Sequence, residues 1–292
     1  MKHIVVIAFL TFITSCNLAK KQEHLHILEN VDNANIELTK AIANFHPIAT
    51  IDHHRLAKEV GVYTPPSVAT VFSDKVVNTP LVAKNQLAGL DLPFKILCYS
   101  EPDTSEVSIA FTSAEFISKR HLLPKEDLKP YHEKIKTVLS VFSENIISNT
   151  ETAGVVKEFG IIKIQSDFDF NTTVNNLKAI VESQEDTQWF ADVDYQNDAK
   201  TLNVLIRPTT LLLFGAPAPG AKAMMTTPKI GLDAFCQKLL VFQNDADEVW
   251  IAFNDIVAFS ELYYGSSTKP QKMINQRLTM TFTKAIKTEA DQ

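Results

Sequence analysis

The sequence is poor in the features that announce a familiar chemistry. Its 292 residues hold three cysteines, Cys16, Cys98 and Cys236. They form no CxxC pair and no even disulfide framework. There is no HExxH, no GxSxG elbow and no phosphate loop ending in GK[ST]. Lysine and arginine do not cluster, and the formal net charge is −6. Binding to a nucleic-acid backbone wants a basic face, so nucleic acid is not an expected partner. The most apolar run, Ile4 to Ile13, falls well short of the about 20 residues that span a bilayer.

That run has a different reading. Lys2 and His3 precede it, and Ile13-Thr14-Ser15-Cys16 closes it. A basic start and a short apolar stretch make a signal peptide over residues 1–15. A branched apolar residue, two small residues and a cysteine resemble the bacterial lipobox, which implies a lipid on Cys16. Each buried methylene of such a lipid contributes roughly 0.8 kcal/mol, and more than one chain anchors stably. The plainer alternative is an ordinary cleaved signal. Residues 16–22 then form a short polar tether, and the expected address is the bacterial cell envelope. There the chain would be anchored to a membrane through its lipid and would face away from the cytoplasm.

The chain as a whole is ordinary in bulk, with 45% hydrophobic and 21% charged residues, enough for packed globular domains. Its main feature is internal repetition. Ile51-Asp52-His53 returns as Val193-Asp194-Tyr195, and Gly89-Leu90-Asp91 as Gly231-Leu232-Asp233. Val107 to Phe111 returns as Val249 to Phe253. Each pair stands 142 positions apart, as Asp52 and Asp194 do. A constant offset over so long a stretch marks a duplicated domain. The copies are placed at residues 23–150 and 155–289, joined by a short polar linker.

Period and punctuation give each copy the order β-α-β-β-β-β-α with one small extra helix. Strands that follow one another without long helices between them favour antiparallel sheets and an α+β fold. His24 to Leu28 alternates like a strand. A helix is expected from about Asn33 to Asn44, and a long one from Lys129 to Ile147. Arg207 to Gly220 reads as an apolar strand running into a loop held by Pro217, Pro219 and Gly220.

Ile51-Asp52-His53 with Ala57, Gly61 and Pro66, then Gly89-Leu90-Asp91-Leu92-Pro93, resemble the bacterial domain of unknown function 302 family. In the second copy Pro208, Leu211 to Pro217, Gly220 and Phe253-Asn254-Asp255 carry the same resemblance. It covers nearly the whole chain after the tether. It implies a fold of the TATA-binding-protein-like α+β class and implies no activity. Neither copy is complete. The first has Phe72-Ser73-Asp74-Lys75 where the Phe-Gly-x-Pro loop belongs. The second has Asp194-Tyr195 for Asp-His. A site shared between the copies is the natural expectation.

The candidate ligand-binding residues are Asp52, His53, Asp194, Arg207, Gly215, Pro217 and Gly220. Histidine can act as acid, base or metal ligand near neutral pH, so His53 is also a metal candidate. His24 and His26 share a strand face if the strand forms, the geometry of two ligands, with no third apparent. The plainer readings are that Asp52 and Asp194 cap their elements and that the loop after Phe214 is structural. Its prolines lack the N–H groups that an anion nest needs. Asn254-Asp255 and Thr112-Ser113 read as helix caps. No catalytic residue and no cofactor is assigned. The leading expectation is a non-catalytic envelope lipoprotein that binds a small ligand, a metal or a protein partner. A hydrolytic or metal-assisted enzyme with a site near Asp52, His53 and the Phe214–Gly220 loop is the alternative. A structural assembly subunit is the third.

Overall fold

The computed structural model describes residues 25–148 and 150–288. The signal run, Cys16, the tether and His24 lie outside the described residues. The first copy opens with helix α1 (residues 25–41). It continues with β1 (His46–Asp52), α2 (His53–Glu59), β2 (Ser67–Ser73), α3 (Lys75–Lys84) and a 3-10 turn (Gln86–Leu90). It ends with β3 (Phe94–Tyr99), β4 (Ser108–Phe111), α4 (Ala114–His121) and α5 (Lys129–Leu139). The second copy runs β5 (Ile161–Gln165), α6 (Phe170–Glu182), β6 (Gln188–Asp194), α7 (Tyr195–Thr201), β7 (Thr209–Gly215) and α8 (Pro217–Met224). A second 3-10 turn (Pro228–Leu232), β8 (Gln237–Gln243), β9 (Val249–Asn254), α9 (Ile256–Tyr264) and α10 (Lys269–Ile286) complete it. Every strand pairing is antiparallel, in the orders β1-β2-β3-β4 and β5-β9-β8-β7-β6. The chain is α+β, with two repeated units whose antiparallel sheets are packed with helices.

Three expectations need correction. Residues 25–28 belong to α1 and not to a strand. Val31, Ala34, Leu38 and Ile42 are buried at helical spacing, and that stripe outweighs a five-residue alternation. The helix expected to reach Ile147 ends at Leu139, where the Ser140 hydroxyl turns back onto the Thr137 carbonyl (2.7 Å). The presumed loop after Phe214 is the first turn of α8. Pro217 occupies its first position, where a fixed φ and a missing N–H do no harm.

The strands α-caps and layers follow from the repeat. Asp52 and Asp194 cap α2 and α7, accepting from the Arg55 and Asn197 amides at 2.8 and 2.9 Å. The outer face of the first sheet packs Phe72 and Phe94 on Phe45 and Tyr131, with Phe94 and Tyr131 stacked at 4.5 Å. The outer face of the second packs Phe214 and Phe253 on Phe282 of α10. The inner faces share one core, with Ala69, Val71 and Leu97 from one sheet and Leu211, Leu213 and Leu240 from the other. Each fully buried leucine there contributes about 1.5–3 kcal/mol. Among the described residues the first copy has no counterpart of β5. The linker lies on the β4 edge instead, through an Ile109–Ile147 bridge and a Ser148 amide bonded to the Ile109 carbonyl (2.8 Å).

The copies meet reciprocally. Each 3-10 turn lies on the other copy's sheet. Gly89 faces Tyr195 of the second copy, and Gly231, its repeat equivalent, faces His53 of the first. The Tyr195 hydroxyl donates to the Gly89 carbonyl (2.9 Å) and to that of Leu92. A Cβ on Gly89 would stand 2.9 Å from Leu240 Cδ1 and 3.0 Å from Tyr195 Cε2. Gly89→Ala is therefore expected to lower stability by about 1–3 kcal/mol through overpacking. The urea unfolding midpoint measures this, and an unchanged midpoint would contradict so close a contact between the copies.

Candidate functional site

Two features lie between the copies: a buried charge cluster and a cleft beside it. The cluster grows from the paired Gly-Leu-Asp turns. Asp91 is fully buried and accepts from Arg120 Nη1 through both oxygens (3.0 and 2.9 Å). It also accepts from Lys95 Nζ (3.2 Å) and His121 Nε2 (2.7 Å). Asp233, its counterpart, accepts from Lys95 and from the Tyr263 hydroxyl, and Lys238 Nζ stands 3.9 Å away. His121 and Tyr263 are themselves 142 positions apart, so each aspartate is met by the same helix of its own copy. Lys95 crosses between the copies. Arg120 crosses too, donating to Asn254 Oδ1 (2.8 Å) and to the Phe159 and Gly160 carbonyls (2.8 and 3.1 Å). Its guanidinium lies over the Phe259 ring at 4.9 Å.

Charge balance sets the protonation states. Burial would raise the Asp91 carboxyl, but Arg120, Lys95 and His121 outweigh it and hold it well below the usual carboxylate range. Asp233 is likewise lowered, its burial outweighed chiefly by Lys95 and then Lys238. Lys95 is raised, because Asp233 and Asp91 overcome the cost of its burial. Lys238 is lowered to about 7 by burial, with the Lys95 charge adding to the effect. His121 is lowered by burial against the pull of Asp91.

The cleft is walled by both copies. Ile51, His53 and Leu56 line it from the first, and Phe190, Gly215 to Pro217, Gly220, Phe235 and Cys236 from the second. Phe190 sits at a β-bulge, where the β6–β7 register shifts between Trp189 and Ala191. A Cβ on Gly215 would stand 2.9 Å from the Phe190 ring, and one on Gly220 3.3 Å from the Phe235 ring. Glycine at both positions lets the rings lie close to the backbone. His53 Nε2 is buried and has no hydrogen-bond partner. Burial lowers the imidazole to about 4 against the Asp52 charge, so it is neutral at physiological pH. Burial raises the Cys236 thiol to about 11.

The structure thus gathers His53, Gly215, Pro217 and Gly220 and leaves the other candidates elsewhere. Asp52 is spent on its cap and on Arg55, whose fork also holds Asp32 (2.8 and 2.7 Å). Asp194 caps α7 beside Thr210, at the far end of β7 from Gly215. Arg207 precedes that same end and pairs with Asp247 (2.6 Å) and Asp245 (3.3 Å). These three do not reach the cleft. The strand face expected for His24 and His26 does not form at His26, and His24 lies outside the described residues. His26 is in α1, where its Nδ1 meets Asn30 Nδ2 (3.2 Å). Among the described residues no three His, Cys, Asp or Glu side chains are grouped to hold a metal. Sequence reasoning passed over Phe190, Phe235 and the whole charge cluster. The repeated Gly-Leu-Asp was a signal for Asp91 and Asp233.

A family model described as Domain of unknown function DUF302 matches residues 21–142 and again residues 162–284. Among solved structures, the crystal structure of an uncharacterized conserved protein DUF302 from Bacillus stearothermophilus is similar at 14% identity. The match covers 44% of this chain and 95% of that chain, with a TM-score of 0.36. No curated protein matches the chain.

The cluster predicts a pH response. An unfolded lysine titrates near 10.5, and folded Lys238 near 7. Between these values the unfolded chain holds a proton that the folded chain has released, so Lys238 makes stability rise with pH across that window. Lys238→Met should flatten that rise relative to the parent. Urea midpoints from pH 7 to 10 check it, and an identical slope in both proteins would refute the assignment.

Proposed function

The chain belongs to the DUF302 family, in two copies, and on that premise we propose that it is a non-catalytic binding module for a small molecule, held at the bacterial envelope by a lipid on Cys16. The binding site is the cleft between the copies. One observation carries the reading: His53 of the first copy converges with Gly215, Pro217 and Gly220 of the second, and its buried Nε2 has no partner. A buried polar atom without a hydrogen bond costs about 1–3 kcal/mol, and a ligand's polar group would relieve it. Hydrolysis is less well served. Among the described residues no carboxylate lines the cleft to orient the imidazole, and a thiol at about 11 stays protonated at neutral pH.

Histidine-ring and amide NMR of the protein with a panel of small fragments tests the binding. At least one fragment should shift His53 and Phe190 together, and His53→Ala should abolish that response. Fragments that bind only elsewhere, or none that bind, would sink the reading. The address is tested separately. Palmitate label should enter the chain in a bacterial host and be lost in Cys16→Ser; equal labelling of the variant would refute the anchor.

A further inference from the structure

We propose that the first copy carries a second binding site, for one unbranched hydrocarbon chain that ends in a carboxylate. The site is a groove between the end of β4, the start of α4, α5 and the linker. It shares no lining residue with the cleft and stands whether or not the cleft binds.

The groove exists because the copies end differently. Helices α5 and α10 both start at Lys-Pro, and counting from there Phe142 and Ile146 correspond to Phe282 and Ile286. In the second copy the helix runs through both, and both are buried. There β5 covers the neighbouring sheet edge, with Ile162 opposite Phe253. In the first copy α5 stops at Leu139, and Phe142 and Ile146 are only half-buried. Phe111, the counterpart of Phe253, is half-buried too. The space left open measures about 650 Å³. Ordinary ligand pockets measure about 300–1,000 Å³.

The floor suits a hydrocarbon chain better than a peptide. Phe111, Ile135, Leu139, Phe142 and Ile147 make it apolar. At the edge of β4 the Ile109 and Phe111 carbonyls are taken, by the Ser148 amide (2.8 Å) and the Thr150 hydroxyl (2.7 Å). An added strand binds chiefly through main-chain hydrogen bonds, and these acceptors are already in use. A hydrocarbon chain needs none, because its burial is non-directional.

The polar groups are sorted along the groove. Tyr131 donates to the Thr112 carbonyl (2.9 Å), which sets the start of α5 beside the start of α4. His132 and Ser113 therefore mark one end, and Lys136 stands one turn further along α5. Among the described residues the side chains of His132 and Lys136 have no partner. The Ser113 hydroxyl accepts from the Phe116 amide (3.2 Å) and keeps its own proton for a guest. Glu115, at the same end, is neutralised by Lys119 (2.9 Å). Glu144 is exposed and follows the far end of α5. Donors at one end and a carboxylate at the other orient an anionic amphiphile. Its head lies at His132 and Lys136 and its tail over Leu139 and Phe142.

The test titrates the full chain and its Cys16→Ser variant with hexanoate, octanoate, decanoate, decanol and decylamine, each below micelle formation. The Phe142 and Ile147 amides are followed by NMR. Affinity for the acids should rise about fourfold per added methylene. Decanoate should bind about threefold tighter than decanol, and decylamine should bind weakest of the decyl probes. Lys136→Met should remove the advantage of the acid and keep decanol binding. Phe142→Asp should weaken decanoate about tenfold. Ser140→Trp, at an exposed rim position, is a second blocking variant that leaves the core intact. Equal affinity for all three acids would overturn the hydrocarbon chain. Decylamine binding as tightly as decanoate would overturn the carboxylate. Shifts that spare Phe142 and Ile147, or decanoate affinity unchanged in both blocking variants, would overturn the groove. Silence from every probe would overturn the site, and a dimer in sedimentation would then give the groove to a second copy of the chain. Binding only in Cys16→Ser would make the chain's own lipid the occupant and overturn a free acid.

Discussion

Two carboxylates that water cannot reach must be neutralised, and the geometry of the molecule follows from how this is done. Asp91 and Asp233 occupy the same place in the two copies, at the ends of the 3-10 turns, and both are buried. Lys95 of the first copy serves both, and Arg120 ties Asp91 to Asn254 and the Gly160 carbonyl of the second. Sliding one packed sheet along the other would leave charges without partners in an apolar interior. Breaking such a pair typically costs about 3–5 kcal/mol, whereas the intact pair adds little net stability. The cluster therefore acts on register more than on affinity: it accepts one arrangement of the two sheets and penalises others. Phe235 and Cys236 lie between Asp233 and Lys238 in sequence, so the wall of the cleft is held at both ends by the cluster.

The duplication explains how one half could change. A homodimer of identical copies would have to place the same residue at both equivalent positions. A tandem chain has no such restriction. Tyr195 fills its niche against Gly89 with a satisfied hydroxyl, while His53 turns its buried Nε2 toward Gly231 without a hydrogen-bond partner. The same divergence appears in the cluster, where His121 serves Asp91 and Tyr263 serves Asp233. The frame is repeated, and the two halves differ in how these equivalent positions are hydrogen-bonded.

How much of this the sequence carried depended on the range of the interaction. Caps are local, and they were legible: Asp255 accepts from the Val257 and Ala258 amides (2.9 and 3.2 Å), and Ser113 from that of Phe116 (3.2 Å). Sheet class was legible too, since strands without long helices between them pair antiparallel. The helices α2 and α7 were missed because seven residues give barely two turns of periodicity. The Lys95–Lys238 correspondence was hidden for a different reason. The copies are 142 apart at Gly-Leu-Asp but 143 apart at the lysines, because the second has one more residue before β8 than the first has before β3. Arg120 could not be found by repetition at all, since Leu262 stands at its place in the second copy.

The partial motifs of each copy now have a physical account. The first copy keeps Asp-His and lacks the Phe-Gly-x-Pro segment; the second keeps the segment and lacks the histidine. Taken one at a time, each copy looks like a defective unit. In the folded molecule α2 of the first lies on α8 of the second, so the retained halves of the two motifs face one another across the cleft. On the opposite side α3 of the first copy meets α7 of the second, and there the discarded halves coincide, with Tyr195 closing the space. With one side open and the other closed by Tyr195, the cleft is a property of the pair, absent from either copy alone.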